Sequence, residues 1–322
     1  MRPIPFARFK VEVLALYGSP HRAPSTRRKL EQVLKLVEDL GVKTTADLTP
    51  GLVARFIEAR PPGQSPQTLA ALLRVVRSMS NQAVVMGYLR VSPFALRRVS
   101  QWVGRIGPPK PKLWFKAEQV RRVLDLMARD VSETQGWAQW RSRRLLALTS
   151  TVALAGLRAS EAQYLHVVDL DLKARSIALV DRGRSGGLRL KTEASAGAVP
   201  TPEALISILR DWLDHRMDHP VDFPVPVDCP WLFPNLNRRG AWRDGAPGMK
   251  PVQRLQQVAA RAGVPGMTFK ALRATWATRG ENLGYSALTI QRVLRHSNPT
   301  TQLWYRGLDV EAVTRTVADF NY

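Results

Sequence analysis

The sequence predicts a mostly α-helical protein of two domains, with one small antiparallel β-sheet in the second half of the chain. Three observations predict this architecture. A chain of 322 residues is longer than a single hydrophobic core usually organises. Its first hundred residues repeat apolar side chains at helical spacing between helix breakers. In the second half, a short β-like stretch and a Gly-Gly pair interrupt the helical pattern.

Breakers divide the first hundred residues into helices. One helical segment opens at residues 24–26 and ends at Gly41. A second follows Thr49-Pro50, and a long third follows Ser65-Pro66 and ends at Gly87, since proline suits the first helical turn. The apolar positions of the third helix recur at threes and fours: Leu69, Leu72, Leu73, Val76 and Met79.

The segment Gly104–Lys112 separates the two halves. It is rich in Gly, Pro and Lys, a composition typical of an extended, exposed linker because proline cannot join a helix interior. We therefore expect a helical domain over residues 1–105, a linker over 106–113 and a second domain over 114–322.

The second half mixes helical and β-like patterns. A β-like stretch, Ser176–Val180, precedes a second one, Leu188–Lys191. Gly186-Gly187 between them predicts a hairpin turn, and so a small antiparallel sheet. Helical patterns cover Ala117–Met127, Ser142–Ala155 and Pro202–Asp214, and they dominate the remainder.

The charge of the chain indicates a polyanionic partner. There are 48 Lys and Arg against 26 Asp and Glu, a formal charge of +22. Residues 1–110 hold 18 of the basic and 6 of the acidic side chains, so both halves are basic and could grip DNA from two sides. A solvated basic surface, or one facing acidic lipid, is the alternative that charge alone leaves open.

Cysteine content and hydropathy indicate the compartment. The single cysteine, Cys229, cannot form an internal disulfide and lies in no metal-ligand motif, which fits a reducing cytosol. The longest apolar stretch, Leu145–Leu157, is shorter than the ~20 residues of a membrane span. We therefore expect a cytoplasmic protein with no membrane span, no signal peptide and no metal site.

A spaced set of cations precedes a tyrosine near the C-terminus. In Ala155–Glu161, Arg158 could offer a guanidinium fork to a phosphate while Glu161, three residues on, orients a neighbour. Lys191 follows the predicted hairpin turn. Taken alone, Arg158 and Lys191 could each be an ordinary surface charge.

Two further pieces follow. In Phe269–Thr278, Lys270 and Arg273 share a helical face, although an ordinary basic helix has the same pattern. In Leu294–Tyr305, a histidine, a turn and a tyrosine come in fixed order, which is a more specific pattern.

Together these pieces resemble the tyrosine recombinase (phage integrase) family, whose catalytic domain carries a GLR-x-SE box, a hairpin lysine, an H-x-x-R box and an LGH box followed by a tyrosine. The resemblance spans roughly residues 114–322, and residues 1–105 resemble the family's core-binding domain in layout only. Two positions depart from the pattern: Lys270 replaces the histidine of H-x-x-R, and Arg295 replaces the glycine of LGH. The catalytic residues that the resemblance implies are Arg158, Lys191, Lys270, Arg273, His296 and the nucleophile Tyr305, with Glu161 in support.

The resemblance implies a site-specific recombinase that cuts and rejoins DNA through a 3′-phosphotyrosyl intermediate, without cofactor or metal. Guanidinium forks suit a phosphodiester whose negative charge grows in the transition state. A type IB-like topoisomerase and a non-catalytic DNA-binding protein of the same fold are the alternatives. Integration, excision and resolution of cointegrates or dimers are not distinguished.

The implied partners are double-stranded DNA with an inverted-repeat site and further copies of this chain, a dimer on each site and a homotetramer on two duplexes. The resemblance also leaves room for an accessory DNA-binding protein. Apolar residues recur at helical spacing from Leu308 to Phe320 and predict a tail helix with Asp309 as its N-cap. Such a helix could cover its own subunit's core, whereas the resemblance implies that it docks on a neighbouring subunit. Further DNA contacts are expected from Arg74, Arg77, Arg97, Arg98 and Arg295.

Overall fold

The computed structural model describes residues 3–17, 24–96, 99, 113–183, 190, 196–218, 228–234 and 251–295. The chain divides into two compact units, Met1–Pro111 and Lys112–Tyr322. The expected linker lies outside the described residues except for Leu113, so its conformation stays a prediction.

The first unit is helical, as predicted. Helices α3 (Pro50–Glu58) and α4 (Pro66–Val85) begin where the sequence predicted. The side-chain oxygens of Thr49 and Ser65 accept hydrogen bonds from the backbone nitrogens of Leu52 and Thr68. An additional first helix carries Phe9 into the core. The α-helices for which the described residues of this unit give bounds are α1 Phe6–Tyr17, α2 Pro24–Asp39, α3 Pro50–Glu58 and α4 Pro66–Val85.

The apolar positions of α4 form much of the first unit's core. Leu69, Leu72, Leu73, Val76 and Met79 are all buried, which confirms the helical spacing read from the sequence. They share one cluster with the apolar faces of α1, α2 and α3. The opposite side of α4 is polar and solvent-exposed.

The second unit is built around one central helix, α6. Its residues from Ala147 onward are buried on all sides, including Thr149, Ser150 and Thr151. It begins at Gly136, earlier than the sequence predicted, and packs against α5, α8 and α10. The helices are α5 Ala117–Ser132, α6 Gly136–Ala155, α7 Ala159–Gln163, α8 Glu203–His215, α9 Pro251–Arg261, α10 Phe269–Asn282 and α11 Ala287–Val293.

A three-stranded antiparallel sheet lies in the second unit, in the order β1-β2-β3. The strands are β1 Leu170–Asp171, β2 Ser176–Leu179 and β3 Gly197–Pro200. Ile177 pairs with Leu170 on one side and with Val199 on the other.

The small antiparallel sheet is thus confirmed, but the partner of β2 was not the expected one. β2 pairs with β3, and Leu190, from the expected partner strand, is buried without belonging to a strand. Gly, Ala and Pro have low β-propensity, so the sequence of β3 carries little strand signal. The turn at residues 186–187 lies outside the described residues.

The coil Asp228–Pro234 is held by buried side chains. The Arg144 guanidinium donates to the carbonyls of Phe233 and Pro234, and Arg216 donates to those of Cys229 and Trp231. These bonds satisfy backbone oxygens that burial would otherwise leave unpaired. Within the described part of the chain, every helix is too short or too polar to cross a lipid bilayer.

A glycine corner ends α6. Gly156 has φ +62°, a left-handed conformation that glycine adopts at little cost because it has no Cβ. A Cβ here would lie 2.9 Å from Leu294 Cδ2 and 3.1 Å from Trp276 Cδ2. Gly156 therefore lets α10 and the end of α11 pack directly on the end of α6.

We predict that Gly156→Ala lowers the free energy of unfolding of the second unit by about 2–4 kcal/mol, through left-handed strain and the two close contacts. Gly263→Ala is the matched control, because Gly263 also has a positive φ, +72°, but open space around its Cβ position. Its expected loss is about 1 kcal/mol. Urea titration followed by tryptophan fluorescence reports this unit, which holds eight of the nine tryptophans. Equal losses would contradict the packing argument.

Candidate active site

Three arginines from separate segments converge on one buried carboxylate. The Glu161 side chain, in α7, is only 3% exposed. Arg158 immediately precedes α7, Arg273 lies in α10, and Arg295 follows α11. Their side chains are 28%, 11% and 8% exposed, respectively. The structure thus brings together four of the residues that the sequence singled out.

Glu161 binds all three cations. Its Oε1 accepts a hydrogen bond from Nη1 of Arg158, and its Oε2 accepts one from the Arg158 backbone nitrogen at 2.8 Å. Nη2 of Arg295 lies 3.0 Å from the same Oε2, whereas Nη1 of Arg273 lies 3.7 Å from it. The carboxylate therefore orients Arg158 and Arg295 directly and Arg273 more loosely.

Backbone carbonyls hold the guanidiniums as well. Arg273 donates from Nη1 to the Gly156 carbonyl at 2.5 Å and from Nη2 to the Leu294 carbonyl. Arg158 donates from Nη2 to the Arg295 carbonyl at 3.3 Å. Gly156 and Leu294 follow the ends of α6 and α11, where helix dipoles favour positive charge. The fold at these two helix ends therefore sets the positions of the arginines.

The cluster keeps an excess of positive charge, since three guanidiniums face one carboxylate. Burial alone would raise the pKa of Glu161, but Arg295 and then the hydrogen bonds from Arg158 hold that pKa below its ordinary value, so Glu161 is ionised at neutral pH. Burial, and then the neighbouring Arg158, lower the pKa of Arg273 to about 9. Arg273 still carries its charge at neutral pH, and a bound anion would stabilise it.

Arg295 occupies a glycine-like backbone conformation, with φ +52°. Arg295 stands where the family pattern has glycine, and the sequence predicted a contact between its side chain and DNA. The side chain instead turns inward to Glu161. Its expected contact with DNA stays a prediction, and in the present arrangement the guanidinium faces a carboxylate.

The other predicted site residues are placed differently. Lys270 is exposed in the first turn of α10, and its side chain makes no hydrogen bond or ion pair with another described residue. Arg74 and Arg77 lie in the first unit, three residues apart on the exposed side of α4, and Arg77 lies over the Phe94 ring. Outside the described residues lie Lys191, His296, Tyr305, Arg97, Arg98 and the predicted tail helix.

The sequence analysis missed an ion pair beside the sheet. The Arg182 guanidinium donates to both oxygens of Asp169, at 2.9 and 2.5 Å, and the Asp169 side chain is 3% exposed. Asp169 also accepts from the backbone nitrogen of His166 at 2.8 Å. The pair fixes the chain just beyond β2, on the path to Lys191. An acid and a base thirteen residues apart carry no local signal.

The second half of the chain matches a known protein family. The profile of the phage integrase family matches residues 114–311, more than half of the chain. The chain belongs to the phage integrase family. It is a tyrosine site-specific recombinase, which confirms the family and enzyme class that the motifs predicted.

Relatives match over nearly the whole length. The chain is 29% identical over 300 residues to tyrosine recombinase XerD of Mycobacterium leprae, covering 90% of this chain and 87% of the relative. It is 23% identical over 296 residues to tyrosine recombinase XerC of Histophilus somni, covering 91% and 88%.

Solved structures share the fold. The Tn1549 transposon integrase in complex with transposon right end DNA aligns with a TM-score of 0.68 at 19% identity, over 97% of this chain and 98% of that one. A lambda integrase dimer bound to a COC′ core site aligns with a TM-score of 0.62 at 12% identity, over 94% and 96%. The predicted fold, mostly helical with a small sheet, is confirmed.

We predict that the stability contribution of Glu161 depends on pH. Its pKa is lowered below 4.5, so the ionised form stabilises the fold above about pH 4.5, and this contribution is lost as pH falls through the folded-state pKa. At pH 7, Glu161→Gln should reduce the free energy of unfolding by roughly 2–4 kcal/mol, because buried guanidiniums lose their counter-charge.

The deficit of Glu161→Gln should shrink in urea titrations below about pH 4.5. Glu281→Gln is the control, because Glu281 is exposed in α10, and we expect little change at any pH. A deficit of Glu161→Gln that is independent of pH would refute an ionised Glu161.

Proposed function

We propose that this recombinase cuts and rejoins DNA strands through a 3′-phosphotyrosyl intermediate, with Tyr305 as the nucleophile. The observation that carries the proposal is the buried cluster of Arg158, Arg273 and Arg295 around a single carboxylate. Its excess of positive charge suits a phosphodiester, which gains negative charge in the transition state. The order of Arg158, Lys191, Arg273 and Tyr305 along the chain agrees with the family pattern.

In the proposed reaction, the Tyr305 oxygen attacks the phosphorus and forms a new P–O bond while the bond to the 5′ oxygen breaks. The phenolic proton passes to His296 or Lys270, and Lys191 gives a proton to the leaving 5′ oxygen. Arg158 and Arg273 hold the non-bridging oxygens of the phosphate by their guanidinium forks. Attack by a 5′ hydroxyl of the other duplex reverses these steps and completes strand exchange.

Double-stranded DNA is the proposed partner. The Tn1549 integrase structure is a complex with transposon right end DNA, and the lambda integrase dimer is bound to a core site. Both halves of this chain are basic. Arg74 and Arg77 present their charges together on α4, as phosphate contacts require. We propose that a dimer binds one site and a tetramer joins two duplexes, with the tail helix docking between subunits.

A type IB-like topoisomerase of the same chemistry is the alternative that the sequence alone left open. It would relax supercoiled DNA without exchanging strands between duplexes. Product analysis distinguishes the two functions, because a recombinase joins strands from different duplexes. The similarity to XerC and XerD over about nine-tenths of the chain favours recombination.

We predict that Tyr305→Phe binds DNA with near-normal affinity and forms no covalent adduct, because only the nucleophilic hydroxyl is removed. The test incubates the protein with nicked duplexes that it has selected from a random-sequence library, followed by denaturing gel electrophoresis. Tyr164→Phe is the matched control, since Tyr164 lies in the same unit and packs against Trp231, and it should keep the adduct. An adduct formed by Tyr305→Phe would refute the assignment.

We also predict that Arg158→Lys and Arg273→Lys each slow adduct formation on the order of a hundredfold, because an ammonium keeps the charge and loses the fork. DNA affinity should change little, since the number of positive charges is the same. Arg129→Lys, on the exposed side of α5, is the control for an arginine outside the cluster. Wild-type adduct rates in both cluster variants would rule out phosphate binding by these forks.

A further inference from the structure

Arg295 has a backbone conformation that favours glycine. Its φ of +52° costs an L-residue about 1–2 kcal/mol, and glycine adopts it freely. The side chain is also 8% exposed, although guanidiniums are rarely buried without a partner. Contacts of this guanidinium must therefore offset both the strain and the burial.

Those contacts lie within the arginine cluster. Nη2 of Arg295 binds Glu161 Oε2 at 3.0 Å, and Nη1 binds the Val293 carbonyl at 3.0 Å. The Arg295 carbonyl accepts from Nη2 of Arg158 at 3.3 Å. Arg295 is thus connected to Arg158 twice, through the carboxylate and through its own backbone.

Arg295 also limits the contact between Glu161 and Arg273. The same Oε2 is 3.0 Å from Arg295 and 3.7 Å from Arg273, so the nearer guanidinium occupies it. Arg273 is left to the neutral carbonyls of Gly156 and Leu294. Without Arg295, Arg273 could close the gap to Oε2 and turn its fork toward the carboxylate, and the net charge of the cluster would fall from two to one.

We propose that Arg295 is a positioning residue, which occupies Oε2 of Glu161 and so keeps the guanidinium fork of Arg273 available for the phosphate. The inference rests on the proposed function, because the phosphate is that of the DNA to be cut. It assigns to Arg295 an action through Glu161 rather than a direct contact with DNA.

The test is a double-mutant cycle between Arg295 and Glu161, measured as the single-turnover rate of adduct formation on the selected nicked duplex. Arg295→Met keeps the stem and the backbone strain but removes the charge. We expect it to slow adduct formation about tenfold, as for a misaligned catalytic group, with little change in DNA affinity. In a Glu161→Gln background, the same substitution should change the rate by less than about twofold, because its target is gone.

Two further variants of Arg295 test the inference even if the Glu161→Gln protein fails to fold. Arg295→Lys, which can still reach an acid, should recover part of the rate. Arg295→Gly relieves the strained backbone, yet should be as slow as Arg295→Met. Arg129→Met controls for the loss of one positive charge from the exposed side of α5, and should match the wild type.

Three results would overturn the inference. A wild-type rate in Arg295→Gly would mean that only the backbone matters. An equal slowing by Arg295→Met in both backgrounds, with weaker DNA binding, would indicate a direct phosphate contact. A wild-type rate in Arg295→Met would exclude any role while leaving the proposed function intact. If the wild-type protein itself forms no adduct, the proposed function falls and this inference falls with it.

Discussion

Glu161 is an ionised carboxylate buried among three guanidiniums, and the candidate site depends on that one charge. Arg158 lies more than a hundred residues before Arg273 and Arg295 in the sequence, yet all three side chains lie against this carboxylate. Desolvating three cations without a counter-charge would cost several kcal/mol apiece. The carboxylate therefore stabilises the meeting of α7, α10 and the end of α11.

Neutral acceptors do the rest of the positioning. Arg273 is held mainly by two backbone carbonyls at helix ends, and such oxygens orient a guanidinium without cancelling its charge. If more acids filled the cluster, the arginines would be equally well fixed but poorly able to attract a phosphate. A single acid combined with helix-end carbonyls gives order together with a positive potential.

Local signals in the sequence predicted where several helices begin and end. Thr49-Pro50 and Ser65-Pro66 mark helix starts through their own hydrogen bonds, and Gly156 marks the end of α6. Where tertiary contacts decide, the sequence was less informative. Strand β3, with the sequence Gly-Ala-Val-Pro, is a strand because β2 pairs with it. The inward turn of Arg295 depends on Glu161, which lies 134 residues earlier. The roles of Lys191, His296 and Tyr305 are still predictions from the family pattern.

The corner at Gly156 has a consequence for how this protein can evolve. The side chains of Leu294 and Trp276 pack against the glycine, with atoms 2.9 and 3.1 Å from where a Cβ would lie. A larger residue at position 156 can be accepted only if Leu294 or Trp276 becomes smaller. Leu294 and Gly156 also supply the carbonyls that hold Arg273. Substitutions at these three positions would therefore also displace Arg273 within the arginine cluster. The three positions should therefore change together among descendants of this chain, or not at all.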